Sequence, residues 1–148
     1  MKKLNISKCI VIFVTIAISI SFGFSAFASE IVITRSGSTV AYINDDGRVE
    51  NSSRSTLGYI DSSGRVENAS RSTLGYVDSS GRVENYSRST IGYIDSSGRV
   101  ENASRSTIGY IGSGYIENSS RSTVLNYSGS TDYTKLGAYI FFFNKVLY

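Results

Sequence analysis

The chain carries five consecutive copies of one 17-residue unit, the last of them shortened by one residue. The third copy reads GYVDSSGRVENYSRSTI, and its neighbours differ from it at only a few positions. A fixed period means that each copy is one supersecondary element whose apolar face is buried by adjacent copies. The units begin at Ala41, Gly58, Gly75, Gly92 and Gly109, and the last ends at Val124.

Each unit has the sequence pattern of a β-hairpin. Residues 57–60 (LGYI) are rich in β-branched and aromatic side chains, which favour a strand. Residues 61–64 (DSSG) are typical of a turn, in which glycine supplies the left-handed residue. Residues 65–68 (RVEN) alternate as a return strand, and a polar stretch then links to the next unit. A helix is disfavoured because no unit holds an apolar run at 3.6-residue spacing.

Alternation assigns the two faces of the predicted hairpin. Gly58 and Ile60 share one side of the first strand, and Leu57 and Tyr59 share the other. We expect Ile60 and Val66, with their equivalents, to form the core layer.

On the opposite face, Tyr59 is expected beside Arg65 and Glu67. There the arginine can stack on the ring and pair with the carboxylate. A register shift of one residue would exchange the two faces.

The predicted fold class is therefore all-β, with five hairpins arranged radially or closed into a rosette. Closure would remove the exposed edge strands that an open row leaves at its two ends. The fifth unit, in which the turn is one residue shorter and Tyr115 replaces the arginine, suits a closing copy. Simple repeat decay would explain it equally well.

The N-terminal residues have the pattern of a secretory signal. Basic residues precede an apolar run from Cys9 to Phe24, and Ala26-Phe27-Ala28 follows as a cleavage site. We expect residues 1–28 to be this signal, residues 29–40 a lead-in strand, residues 41–124 the repeat domain and residues 125–148 a closing segment. The alternative is an uncleaved membrane anchor, although the run is short for a spanning helix. The expected location is secreted or periplasmic, with cell-surface association as an option.

Composition restricts the chemistry of the mature part. The chain has no histidine, and its one cysteine, Cys9, lies in the signal. The usual zinc and copper ligands and the common acid–base and nucleophile pairs are therefore missing, and we expect no enzyme, metal or cofactor. Loss of the three signal lysines leaves 12 basic and 12 acidic residues, which argues against nucleic acid as a partner.

The repeat places tyrosines and arginines in a regular array. Tyrosine flanked by arginine can bind sugars or anionic groups through stacking and forked hydrogen bonds. The alternative is a purely structural ladder, repeated because the unit is repeated. The candidate ligand-binding residues are Tyr42, Tyr59, Tyr76, Tyr93, Tyr110, Arg48, Arg65, Arg82 and Arg99.

The periodicity stops after Val124. Residues 125–131 are interpreted as a polar connection, and the following aromatic segment fits either a helix with Asp132 as its N-cap or a buried strand. Its helical stripe would comprise Tyr133, Leu136, Ile140, Phe143 and Leu147. The segment would serve either as a plug for the open end of the rosette or as a membrane or partner anchor. It is too short to span a bilayer.

The recurring string GYIDSSGRVENASRST resembles the units of the bacterial five-fold β-flower proteins, which are small exported chains. The resemblance covers residues 36–124 and, more loosely, the aromatic C-terminal segment. It implies five β-hairpins arranged around a central axis, and it implies no activity or functional residues.

The expected function is an exported, non-enzymatic structural or binding module of the cell envelope. Its partner is unknown, with an envelope glycan or protein as candidates, and no membrane span is expected after signal cleavage. The alternatives are a self-assembling extracellular fibre or adhesin subunit, or a glycan-binding repeat protein. An enzyme is a third class that no sequence feature favours.

Overall fold

The computed structural model describes residues 30–148, so the predicted signal at residues 1–28 lies outside the described residues. Twelve β-strands are followed by a short α-helix and a π-helical turn. The strands are β1 Ile31–Arg35, β2 Ser38–Ile43, β3 Arg48–Asn51, β4 Thr56–Ile60, β5 Arg65–Asn68, β6 Thr73–Val77, β7 Arg82–Asn85, β8 Thr90–Ile94, β9 Arg99–Asn102, β10 Thr107–Ile111, β11 Tyr115–Asn118 and β12 Thr123–Ser128. Helix α1 spans Tyr133–Ala138, and the π-helix spans Tyr139–Phe143. No helix among residues 30–148 is long and apolar enough to cross a membrane.

The strands form one closed antiparallel barrel. Each repeat contributes one hairpin, from β2–β3 to β10–β11, and consecutive hairpins pair along the ring. The ring is completed by β1 pairing with β12, in which Ile33 lies opposite Tyr127. The prediction of hairpin repeats in a closed rosette is confirmed, and closure adds a sixth hairpin position made of two strands distant in sequence.

The closing strand β12 corrects the interpretation of residues 125–131 as a polar connection. Residues 123–128 are a strand of the wall, and Leu125 and Tyr127 are buried inside. The Tyr127 hydroxyl donates to the Gly112 carbonyl oxygen at 2.5 Å, which ties β12 to the shortened turn of the fifth hairpin.

The barrel interior is lined by the side chains predicted for the core layer. Ile60 is 3% exposed and Val66 is fully buried. Burial of each such side chain contributes about 1.5–3 kcal/mol relative to leaving it in water. The equivalent pairs are Ile43 and Val49, Val77 and Val83, Ile94 and Val100, and Ile111 and Ile116.

Strict alternation predicted that Leu57 would share the outer face with Tyr59, and this prediction is wrong. Val49 pairs with Gly58 and Glu50 with Thr56, so Leu57 has no partner across the ladder and forms a β-bulge. A bulge breaks the alternation of side chains between the two faces. Leu57 consequently packs, half-buried, against the hydrophobic core, as do its equivalents in the other repeats.

In the second, third and fourth hairpins the turn is closed by its aspartate and its glycine, as predicted. Asp61 Oδ1 accepts hydrogen bonds from the backbone N–H groups of Ser63 and Arg65. Gly64 has a φ of +80°, a conformation that favours glycine. Its carbonyl oxygen accepts the N–H of Val77 at 2.8 Å, which joins the turn to the next hairpin.

The C-terminal segment is a helix that lies inside the barrel. Asp132 caps α1, since its side chain accepts the backbone N–H of Lys135 at 3.0 Å. Leu136 and Ile140 are fully buried and belong to the same core cluster as the wall residues. The sequence left a helix and a buried strand open as alternatives. The structure shows the helix, which fills the interior of the barrel.

Three aromatic rings and one leucine of this segment lie against the glycines that begin four repeats. Phe143 contacts the position of Gly58, Phe142 that of Gly75, Phe141 that of Gly92, and Leu147 that of Gly109. A Cβ atom at any of these glycines would overlap the facing side chain. The repeated glycine therefore leaves room for the plug as well as for the neighbouring strand.

Candidate functional site

The outer surface of the barrel carries one polar cluster per repeat. In the second repeat this tyrosine–arginine cluster comprises Tyr59, Arg65, Glu67 and Arg71. Tyr59 lies opposite Glu67 within its own hairpin. It lies opposite Arg48 of the preceding hairpin. The tyrosines are half-buried on the outer face, as the register predicted.

The arginine that stacks on each tyrosine comes from the link after the hairpin, which corrects the sequence prediction. The Arg71 guanidinium lies 3.3 Å from the centroid of the Tyr59 ring, whereas Arg65 instead forms ion pairs. A guanidinium over an aromatic face is worth about 0.5–1 kcal/mol at an exposed site. The other stacked pairs are Arg54 on Tyr42, Arg88 on Tyr76, Arg105 on Tyr93 and Arg121 on Tyr110.

These link arginines have a left-handed backbone conformation. Arg71 has a φ of +64°, which is uncommon for a residue with a side chain. The link is held by Asn68, whose Oδ1 atom accepts the N–H groups of Ser70 and Ser72. Such strained residues persist where surrounding contacts determine them, and here the conformation places the guanidinium over the ring.

In the first four clusters the glutamate is buried between two arginines, whereas Glu117 of the fifth is 16% exposed and pairs with Arg121. The Glu67 side chain is 8% exposed, with its Oε1 atom 3.3 Å from Arg65 Nη1 and its Oε2 atom 3.2 Å from Arg71 Nη1. A buried carboxylate is tolerated when it is paired and hydrogen-bonded. Glu67 therefore joins the stacked arginine to the arginine of the return strand.

In the second, third and fourth repeats the aspartate at the start of the turn completes the network. Asp95 Oδ2 lies 3.0 Å from Arg99 Nε. Burial acts to raise the pKa of Asp95, but hydrogen bonds from Ser97, the Arg99 backbone and the Arg99 guanidinium outweigh it and lower that pKa to about 2. The pKa values of Asp61 and Asp78 are lowered for the same reasons.

The first repeat departs from this network because Asn44 stands where the second, third and fourth repeats have aspartate. Asn44 Nδ2 donates to Glu50 Oε2 at 3.2 Å. That hydrogen bond lowers the pKa of Glu50, burial opposes it, and Arg54 and Arg48 add to the lowering. Within residues 30–148, Arg48 Nε is buried without a hydrogen-bond partner, since the aspartate that would accept from it is missing.

The structure places the nine predicted candidate residues on the outer face. Four of the tyrosines lie opposite a return-strand arginine of the preceding hairpin, whereas Tyr42 lies opposite Val32 of β1. The sequence analysis missed the five stacking arginines, although they recur at a constant offset in every unit. The signal was present in the fifth unit, which keeps Arg121 while Tyr115 replaces the return-strand arginine. In the closing pair of strands, Asn126 stands at the position of the tyrosine and Thr34 at the position of the glutamate, so this pair lacks the cluster.

Grooves run between neighbouring hairpins along these clusters. One groove of about 370 Å³ is lined by Arg82, Tyr93, Asp95 and Arg105, and we call it the Asp95 groove. The next, of about 480 Å³, is lined by Arg99, Tyr110, Tyr115 and Arg121, and we call it the Tyr115 groove. Both are of the size of small-ligand sites. Residues 30–148 contain no cluster of three or more potential metal-ligating side chains.

The fold and its surface define a class of protein: a closed barrel of repeated hairpins that is filled by its own C-terminal helix and carries a polar cluster on the outer face of each repeat. The family model of the five-fold β-flower proteins matches residues 29–145, and the chain belongs to this family. Searches among curated proteins and among solved structures found no significant match.

Proposed function

We propose that the protein is an exported, non-enzymatic module of the cell envelope that binds a glycan through its outer face. The observation that carries this proposal is the presentation of five stacked tyrosine–arginine pairs around one closed barrel. In every cluster an arginine stacks on the tyrosine and pairs with a glutamate, so each can offer these groups to a ligand. Export is inferred from residues 1–28 of the sequence.

The exposed groups of each cluster suit carbohydrate. The Arg71 side chain is 63% exposed, and its ion pair with Glu67 engages only part of its five N–H donors. The tyrosine beside it combines an apolar ring with a polar hydroxyl. Within a middle repeat, two arginines are balanced by one aspartate and one glutamate, which favours ligands rich in hydroxyl groups over strongly charged polymers.

Repetition also favours a polymeric ligand. Sites held at fixed spacing on one rigid body convert later contacts into intramolecular ones, so weak individual sites add up to higher avidity. Envelope glycans are polymers with repeated units and would engage several clusters at once.

A binding role is favoured over catalysis because the carboxylates of the clusters are already paired with arginines. The buried glutamates and the turn aspartates are engaged by arginines of the same cluster, as Glu84 is by Arg82 and Arg88. A general acid or base needs a pKa near the working pH, whereas the turn aspartates have lowered pKa values. The sequence also contains no histidine.

The test is binding of purified envelope glycans to the protein and to the double variant Tyr59→Ala with Tyr76→Ala. We expect the double variant to bind more weakly, since two of the five clusters lose the ring. Tyr86→Ala is the matched control, because Tyr86 is 72% exposed and lies in a link outside the clusters. Unchanged affinity in the double variant would reject the proposed face, and intact residues 1–28 on protein recovered from the cytoplasm would reject export.

The fibre alternative is less well supported. Cross-β stacking requires free strand edges, and each of the twelve strands described here pairs with two neighbours in the closed ring. Concentration-dependent fibres that bind thioflavin would reverse this preference.

A further inference from the structure

The fifth hairpin differs from the repeat at two coupled positions. In the fourth hairpin, Asp95 begins the turn and pairs with Arg99. In the fifth, the same two positions carry Gly112 and Tyr115. The Tyr115 ring packs over Gly112 so closely that a Cβ atom there would overlap the ring. An ion pair has thus been replaced by an aromatic ring resting on a glycine.

This replacement changes the chemistry of the groove between the fourth and fifth hairpins. The Asp95 groove, one hairpin earlier, is lined by two arginines, one tyrosine and a carboxylate. The Tyr115 groove is lined by two arginines and two tyrosines, and no carboxylate lines it. Its volume is also larger, at about 480 Å³ against about 370 Å³.

Both arginines of the Tyr115 groove can reach a ligand. The Arg99 side chain is 48% exposed and the Arg121 side chain 62% exposed. Arg121 lies over the Tyr110 ring at 3.3 Å and pairs with Glu117, contacts that fix its position. Guanidinium groups bind carboxylate and phosphate oxygens through two parallel hydrogen bonds.

The aromatic side of the groove suits a sugar ring. Tyr115 is 39% exposed and is the more exposed of the groove's two tyrosines. Its side chain offers an apolar ring with a hydroxyl at its tip. A ligand that carries both a ring to stack and an anionic group to pair would use both kinds of side chain.

We infer that the Tyr115 groove is a dedicated site for an anionic saccharide unit, a sugar bearing a carboxylate or phosphate group. The anionic group pairs with Arg99 and Arg121, and the sugar ring packs on Tyr115. The inference rests on the proposed glycan-binding function, and it singles out one of the grooves as different from its repeats.

The test is titration of the protein with trigalacturonate, galactose 1-phosphate and neutral galactotriose, followed by NMR chemical shifts. We expect one or both anionic probes to bind more tightly than galactotriose, and their affinity to fall with rising salt. A preference for trigalacturonate assigns the site to carboxylate sugars, and a preference for the phosphate assigns it to phosphorylated sugars. Equal affinity for the neutral probe would overturn the inference.

Arg99→Gln and Arg82→Gln form a matched pair of variants. Each removes an arginine that pairs with one aspartate and one glutamate at similar distances, but only Arg99 lines the Tyr115 groove. We expect Arg99→Gln to weaken binding of the anionic probe at the Tyr115 groove by about tenfold, the loss of one charge-assisted hydrogen-bonding group. Arg82→Gln alters the Asp95 groove instead and should weaken binding at the Tyr115 groove less. Equal effects of the two variants would overturn the site.

The double variant Gly112→Asp with Tyr115→Arg introduces the residues that the second, third and fourth repeats carry at these positions. We expect it to stay folded, as shown by circular dichroism, and to lose about tenfold in affinity for the anionic probe. Retained affinity would overturn the inference. The double variant Tyr59→Ala with Tyr76→Ala separates the two proposals. If it binds the anionic probe and the envelope glycans with unchanged affinity, the Tyr115 groove is supported as a site and the proposed glycan-binding face is rejected.

Discussion

The Phe142 ring lies against Gly75 so that a Cβ atom at position 75 would be 2.5 Å from the ring. The glycine that opens the third repeat is therefore fitted to a residue 67 positions later in the chain. The same relationship links Phe141 to Gly92 and Phe143 to Gly58. The repeat unit and the C-terminal plug are thus complementary surfaces.

Gly75→Ala should destabilise the barrel because the added methyl group meets both the Phe142 ring and the Glu84 carbonyl oxygen. We expect a loss of about 1–3 kcal/mol in the free energy of unfolding, measured by urea denaturation. Ala41→Gly is the matched control, since Ala41 is the equivalent residue of the first repeat, and it should cost no more than about 1 kcal/mol. An unchanged midpoint for Gly75→Ala would contradict the fitted contact.

Arg71→Ala and Arg71→Gly separate the backbone strain of the link from the contacts of its side chain. Both remove the stacking on Tyr59 and the ion pair with Glu67. Glycine accepts the φ of +64° without strain, so Arg71→Gly should be less destabilised than Arg71→Ala, by about 1 kcal/mol. Equal unfolding free energies for the two variants would show that the left-handed conformation stores no strain.

Stability should fall as the pH drops from about 4 to about 2. A carboxyl group whose pKa is lower in the folded protein contributes fully above its unfolded pKa of about 3.9 and loses that contribution as the pH falls through the folded value. For Asp95 that folded pKa is about 2, and Asp61 and Asp78 shift in the same direction. Thermal unfolding of Asp95→Asn should show a shallower dependence on pH in this window. An identical slope in the variant and the parent would refute this assignment.

Leu136→Ala should test whether the C-terminal helix is part of the core. Leu136 is fully buried, and its truncation should cost about 2–5 kcal/mol in the free energy of unfolding. Tyr86→Ala, at a residue 72% exposed, should stay within about 0.5 kcal/mol of the parent. A small effect at Leu136 would mean that the barrel is stable without its plug.

Most of the wall was predictable from the repeat because hairpins are local. Residues 57–68 contain both strands and the turn that sets their register, and Ile60 and Val66 are buried as alternation predicts. Leu57 was misplaced because a bulge depends on how many residues face each other across two hairpins, which a single strand does not reveal. The stacking arginine was missed for a similar reason, since a left-handed φ in the link turns it back onto Tyr59.

The closing strand and the plug depend on contacts distant in sequence. β12 carries Leu125 and Asn126 where the repeat has glycine and tyrosine, and it is defined by its pairing with β1. The aromatic run at residues 139–143 fitted a strand equally well. Inside a closed ring the wall strands already pair with one another, so an enclosed segment must satisfy its own backbone hydrogen bonds, and a helix does so.

Ring closure has a consequence for the way this gene can change. Arrays of tandem units commonly lengthen or shorten by duplication and deletion, since each copy touches only its neighbours. Here one more hairpin would give fourteen strands and a wider lumen, because barrel diameter grows with strand number. The side chains at residues 141–143 and 147 would no longer meet four glycines at once. The fit between the C-terminal segment and the glycines therefore restricts the number of repeats. Any lineage that gains or loses a unit must also change its C-terminal helix.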